Sequence, residues 1–137
     1  MQAQMAQRMK DEGLEYNSRE LVCNTRRAQE LSLWARSKDV SLVNALYRAN
    51  FVDGKDLYDL ETLVKIAADN GLDPSEARRA IEDGVMSDAL DAEWRQARES
   101  GVSAVPTFAI GDNGVVGAQP YAALARLAEL SGVPKRS

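Results

Sequence analysis

Gly101-Val102-Ser103-Ala104-Val105-Pro106-Thr107-Phe108-Ala109-Ile110 is where this sequence stops reading as helix and begins to read as strand. Its last six residues, Val105 to Ile110, are a short β-prone run bounded by turn formers, the pattern of a buried strand. Pro106 stands at the mouth of that run. Proline has no N–H, so it fits the first residue or the edge of a strand. Two readings of Val105-Pro106 stay open from the residues alone. One is a trans bond that opens a strand. The other is a cis bond, a form kept mainly in tight turns and near sites.

Behind this stretch, Gly111-Asp112-Asn113-Gly114 predicts a tight turn, with Asn113-Gly114 as the hairpin signal. Val115-Val116 then opens a return strand. Gln119-Pro120 starts a last helix, with Pro120 at its first position. Tyr121, Leu124, Leu127, Ala128 and Leu130 form its apolar face, and Gly132 ends it.

Ahead of it the pattern is helical throughout. Met1, Met5 and Met9, with Ala6, predict a helix whose flexible apolar side faces a core and which stops near Gly13. Residues 14–24 read as irregular, with Asn24 as N-cap of the next helix. That helix runs from Thr25 to about Ser37 on Ala28, Leu31, Trp34 and Ala35. A third is predicted over 39–52, with Leu42, Val43, Leu46, Tyr47, Asn50 and Phe51 on one side, ending at the Asp53-Gly54 turn. The fourth follows Asp59 on Leu60, Leu63, Val64, Ala67 and Ala68 and stops at Gly71. Asp73-Pro74-Ser75-Glu76 places an N-cap, an N1 proline and an N3 acid at the start of the fifth, which runs to Asp83-Gly84. Ser87 caps the sixth, which carries Leu90, Trp94 and Ala97 and closes at Gly101.

The order is six helices, a β-hairpin and a helix: an α/β chain, mostly helical as present. Two strands are not a stable sheet by themselves. Three solutions stay open: helices cover the hairpin, a second chain supplies strands, or part of the natural protein lies outside this sequence. An uncovered edge is an association site, so a homo-oligomer through the hairpin edge is expected.

Composition narrows the chemistry. A net charge of −4 is not the basic footprint of a nucleic-acid binder. No apolar run approaches the length of a membrane span, and the N-terminus lacks an apolar signal region, so the expected location is cytoplasmic. There is one cysteine, Cys23, and no histidine. An intrachain disulfide, a Cys–His or Ser–His pair and a Cys/His zinc site are therefore excluded within one chain. Cys23 precedes a helix and is followed by Arg26 and Arg27, which would favour a reactive thiolate. The competing reading is a small buried hydrophobe.

Several blocks resemble one family. Gly101-Val102-Ser103-Ala104-Val105-Pro106-Thr107-Phe108 is similar to the cis-proline loop of DsbA-like thioredoxin-fold proteins, with the best fit in the FrnE-like branch. Ala45-Leu46-Tyr47-Arg48-Ala49-Asn50-Phe51-Val52-Asp53-Gly54-Lys55-Asp56 resembles that branch's helical insert, and Asn24-Thr25-Arg26-Arg27-Ala28 the start of an insert helix. Gly117-Ala118-Gln119-Pro120 resembles the element that opens the last helix. Kappa-class glutathione transferases and 2-hydroxychromene-2-carboxylate isomerases share the insert and the Val-Pro loop, but tend to carry an aromatic and a Gly-Gln-Asp run where this chain has Gly117-Ala118-Gln119-Pro120.

The resemblance implies a partial thioredoxin-like fold: a helical insert over 1–100 running into a thioredoxin-domain helix, then a β-hairpin–helix half over 101–137. It implies the C-terminal part of a protein thiol–disulfide oxidoreductase, with Val105, Pro106 and Thr107 docking a polypeptide or small disulfide substrate and no cofactor. The chain departs from the family in lacking any Cys-x-x-Cys, and Cys23 lies in the wrong element to replace it. No catalytic residue is therefore expected here, and the chain alone is expected to be redox-inactive. The alternatives are a non-catalytic helical binding or dimerisation domain, and a fragment of the transferase or isomerase type.

Overall fold

The computed structural model describes residues 2–17 and 23–135. Their order is α1 (Gln2–Asp11), α2 (Arg26–Arg36), α3 (Val43–Phe51), α4 (Leu60–Asp69), α5 (Pro74–Glu82), α6 (Ser87–Glu99), β1 (Thr107–Ile110), β2 (Asn113–Val116) and α7 (Tyr121–Leu130). Among the described residues the architecture is mostly helical, with one antiparallel hairpin and a C-terminal helix, consistent with the expected DsbA-like thioredoxin-type fold. The chain divides into two compact units, Met1–Asp91 and Ala92–Ser137, and the division falls inside α6.

The first unit is built around α2. Ala28, Leu31, Trp34 and Ala35 recur at helical spacing and are all buried. Alanines at two of these positions leave room for close helix approach, and α2 packs on α4 and α5, which pack on each other. Leu42, Leu63, Ala67, Leu72, Ala77 and Ile81 complete the core. Burying each large aliphatic side chain stabilises by about 1.5–3 kcal/mol. Lys38 places its ammonium 4.9 Å from the Trp34 ring centroid, covering the edge of this core.

The helix starts follow the local sequence where a cap is strong. Asp73 accepts from the Glu76 N–H at 2.8 Å, with Pro74 in the first turn. Asp59 accepts from the Thr62 N–H at 2.8 Å, and that bond holds the Asp59 carboxyl below its ordinary range. A depressed folded-state value gives a stabilising contribution that is present above about pH 4 and is lost as pH falls through the folded value. The Thr62 amide is therefore expected to lose hydrogen-exchange protection on acidification, and Asp59→Asn to flatten that dependence while keeping the cap. An unchanged pH dependence in the Asn variant would refute the assignment.

Tertiary packing corrects several expectations. The third helix begins at Val43, not 39. Asp39 adopts φ 61°, a left-handed conformation that Asp tolerates, and the chain reverses there with the Val40 N–H donating to the Ala35 carbonyl at 3.0 Å. Leu42 enters the core ahead of the helix, and the buried side of α3 is Ala49 and Asn50, whereas Val43 and Tyr47 are exposed. Of the methionine stripe, Met9 is half-buried and Met5 exposed, and Met1 lies outside the described residues, as does 18–22 of the segment expected to be irregular. Thr25, not Asn24, precedes the first turn of α2, and Asn24 Oδ1 accepts from the Arg26 N–H at 2.9 Å. Ser87 is the first residue of α6, not its cap.

The second unit contains the end of α6, the hairpin and α7. The strand begins at Thr107 rather than Val105. The register pairs Thr107 with Val116, Phe108 with Val115, Ala109 with Gly114 and Ile110 with Asn113. The turn is thus Gly111-Asp112, and Asn113-Gly114 lies in β2. Gly111 takes φ 57° and supplies the positive φ that a two-residue hairpin needs at its first central position. Pro120 precedes α7 in extended conformation instead of occupying its first turn. The helix α7 packs on both strands, and Asn113 Nδ2 and Ser131 Oγ tie its end to the hairpin. Leu127 is the only buried hydrophobic side chain of this unit among the described residues. Tyr121 and Leu130, expected on the apolar face of α7, are 86% and 69% exposed.

Candidate functional site

The Val105–Thr107 loop enters the hairpin at the end opposite its turn. The Gly117 N–H donates to the Pro106 carbonyl at 2.7 Å, which continues the β1–β2 ladder by one step and sets Pro106 beside Gly117. The Val105–Pro106 peptide bond is cis. Thr107 Oγ1 donates to the Ala104 carbonyl within the loop, and Gln119 Nε2 donates to the Val116 carbonyl across from it. Val105 is 86% exposed.

Antiparallel pairing alternates the direction of backbone groups along a strand. The 106–117 bond fixes the phase: residues 106, 108 and 110 address β2, so Val105, Thr107 and Ala109 address the other edge. No third strand pairs there among the described residues. Neither the N–H nor the carbonyl of Val105 bonds to another backbone group among them. The loop therefore presents a backbone donor and acceptor on an exposed apolar residue, the chemistry by which an extended segment is added to a sheet edge.

Cys23 sits elsewhere. It belongs to the helical unit, is half-buried against the core, and its Sγ lies 3.8 Å from Asn50 Oδ1. It is three positions ahead of α2, not at its first turn. The same unit has an apolar cleft of about 420 Å³ between α2 and α3, with Ala28, Val43, Leu46, Tyr47 and Leu57 in its wall and no carboxylate, lysine, arginine or cysteine. No group of three or more His, Cys, Asp or Glu side chains among the described residues could hold a metal ion.

One polar cluster was not read from the sequence. Glu30 is buried on α2, where its Oε1 accepts from Arg26 Nε at 3.0 Å and from Ser87 Oγ at 2.8 Å. Arg26 also pairs with Asp91 at 2.9 Å, and that bond, with the charges of Asp91 and Glu30, raises the guanidinium above its ordinary value. These groups pin the first turns of α6 to α2. The Arg26/Glu30 spacing of four was a visible signal; the contact with Ser87, 57 positions away, was not.

Two comparisons bear on this arrangement. A family model described as DSBA-like thioredoxin domain matches residues 1–129. The uncharacterized protein YwbO of Bacillus subtilis (strain 168) is 32% identical over 74 residues, which take in 53% of this chain and 37% of YwbO. The matched stretch thus spans well under half the length of that relative.

Proposed function

Because this chain belongs to the DSBA-like thioredoxin domain family, a family of thiol–disulfide oxidoreductase type, we propose that it carries the substrate-docking part of such an oxidoreductase without the redox pair. The observation that carries the reading is Val105, exposed beside Pro106 with neither backbone group bonded to another backbone group among the described residues, in a chain that has one cysteine. In the exchange reaction a thiolate attacks one sulfur of a disulfide, the S–S bond breaks, and its other sulfur leaves as thiolate. A second thiolate then attacks the mixed disulfide and releases the first substrate sulfur. Two thiols are needed to complete the cycle in one protein, and Cys23 supplies one.

Val105 would hold the segment next to the reacting sulfur through its N–H and carbonyl, with Pro106 as an apolar floor. Thr107 supports the loop from inside, its hydroxyl being used on Ala104. The substrate class is an extended cysteine-containing polypeptide. Titration with such a peptide is expected to shift the amide signals of Val105 and Thr107 in nuclear magnetic resonance. Shifts confined to the helical unit would sink the docking reading. In a dithiol-driven insulin-reduction assay the chain alone is expected to show no turnover above the dithiol background. Robust turnover, whether or not it survives Cys23→Ser, would refute the absence of a redox role.

A further inference from the structure

We propose that Gln119 is a positioning residue for the Val105–Thr107 loop: its side-chain amide holds Gly117 where the Gly117 N–H reaches the Pro106 carbonyl. The proposal deepens the docking reading and rests on it only for the effect on a bound segment. In an antiparallel ladder a bonded pair exchanges two backbone bonds. Pro106 and Gly117 exchange one, because proline has no N–H to return. Among the described residues that 2.7 Å bond is the one backbone bond between the loop and the strand opposite.

Its donor needs support. Gly117 stands at φ 87°, in the left-handed region, and glycine loses more backbone freedom on ordering than any other residue. It has no side chain through which packing could fix it. Gln119 supplies the fixing contact. The phase of the ladder turns the Val116 carbonyl away from β1. Gln119 Nε2 donates to that carbonyl at 2.7 Å and lies 3.8 Å from the point a Cβ of Gly117 would take. The side chain thus closes a ring from Val116 to Gln119, with Gly117 inside it. Pro120 stiffens the far side of this ring, because the residue before a proline is held to extended backbone. On the loop's own side, Thr107 Oγ1 donates to the Ala104 carbonyl. Pro106 is therefore held from within the loop and from across it, and these two bonds aim the backbone groups of Val105.

Three variants of the full 137-residue chain test this. Gln119→Met keeps the side-chain length and removes the donor. Gln119→Glu keeps the shape, but its ionised carboxylate only accepts, whereas Gln119→Lys retains a donor. With Met or Glu the Gly117 amide is expected to exchange with solvent about fivefold faster, the worth of one neutral hydrogen bond. The Phe108 and Val115 amides, bonded inside the ladder, should keep the parent rate. The dissociation constant of an extended cysteine-containing peptide should rise by the same factor, and Gln119→Lys should restore both readouts. Unchanged Gly117 exchange with both Met and Glu overturns the proposal. So does equal loss in all three variants, or loss at Phe108 and Val115 as large as at Gly117, which is general fraying of the hairpin. Faster Gly117 exchange with unaltered peptide affinity overturns the link to docking. A parent chain that takes no peptide at Val105 defeats the docking reading itself, and the Gly117 amide still decides whether Gln119 positions the loop.

Discussion

Leu31→Ala is expected to remove about 3 kcal/mol from the stability of the helical unit. Leu31 is 1% exposed at the centre of α2, among the side chains that α4 and α5 bring against it. Truncation there loses the transfer energy of the deleted carbons and leaves a cavity that helices held on several sides cannot close. Thermal denaturation followed by circular dichroism should show a midpoint lower by roughly 10–20 °C for a unit of this size. Leu130→Ala is the matched comparison: its side chain is 69% exposed in this chain, and a change within about 0.5 kcal/mol is expected. Equal losses in the two variants would contradict the division into one unit with a large core and one with a single buried hydrophobic side chain among its described residues.

The second large effect is expected at Glu30. Glu30→Ala leaves the Ser87 hydroxyl without its acceptor and takes from Arg26 the buried one of its carboxylate partners, at an expected loss of about 2 kcal/mol. The figure stays below that of a fully enclosed ion pair because Arg26 reaches water and keeps Asp91. Glu30→Gln retains an acceptor oxygen at the same place and should cost about half as much. The pair Glu30→Ala and Ser87→Ala should be less than additive, since both remove the same bond, with a coupling of at least about 0.5 kcal/mol. Chemical denaturation of the four species measures this. A Glu30→Ala variant as stable as the parent would show that the cluster is incidental.

The helices with strong local signals were legible. Asp73-Pro74-Ser75-Glu76 and Asp59 fix their own helix starts because cap and first turn are neighbours in sequence. The hairpin and the helix after it were legible for the same reason, and the blocks shared with the family, between Asn24 and Pro120, were enough to name it; the family match itself covers residues 1–129. Finer features were not. Asn113-Gly114 is the stronger turn signal, yet the turn formed at Gly111-Asp112. Gly114 lies instead in β2, where an added Cβ would come within 3.3 Å of the Phe108 carbonyl. The face of α3 was read in part: Leu42, Leu46 and Asn50 turn to the core as expected, but Val43 and Tyr47 are exposed and Ala49 is buried in their stead, a choice only the neighbouring helices make.

The Val105–Ile110 stretch shows where the division lies. Its β-prone run, its proline and the turn behind it determined that a strand begins here and that a hairpin follows, since those preferences reside in a few consecutive residues. Which edge of that strand is open depends on the phase of the ladder, set by the bond from Gly117 to Pro106 across eleven positions. The burial of Glu30 against Ser87 is of the same kind. Both are contacts between residues distant in sequence, and their partners are chosen by how the elements pack.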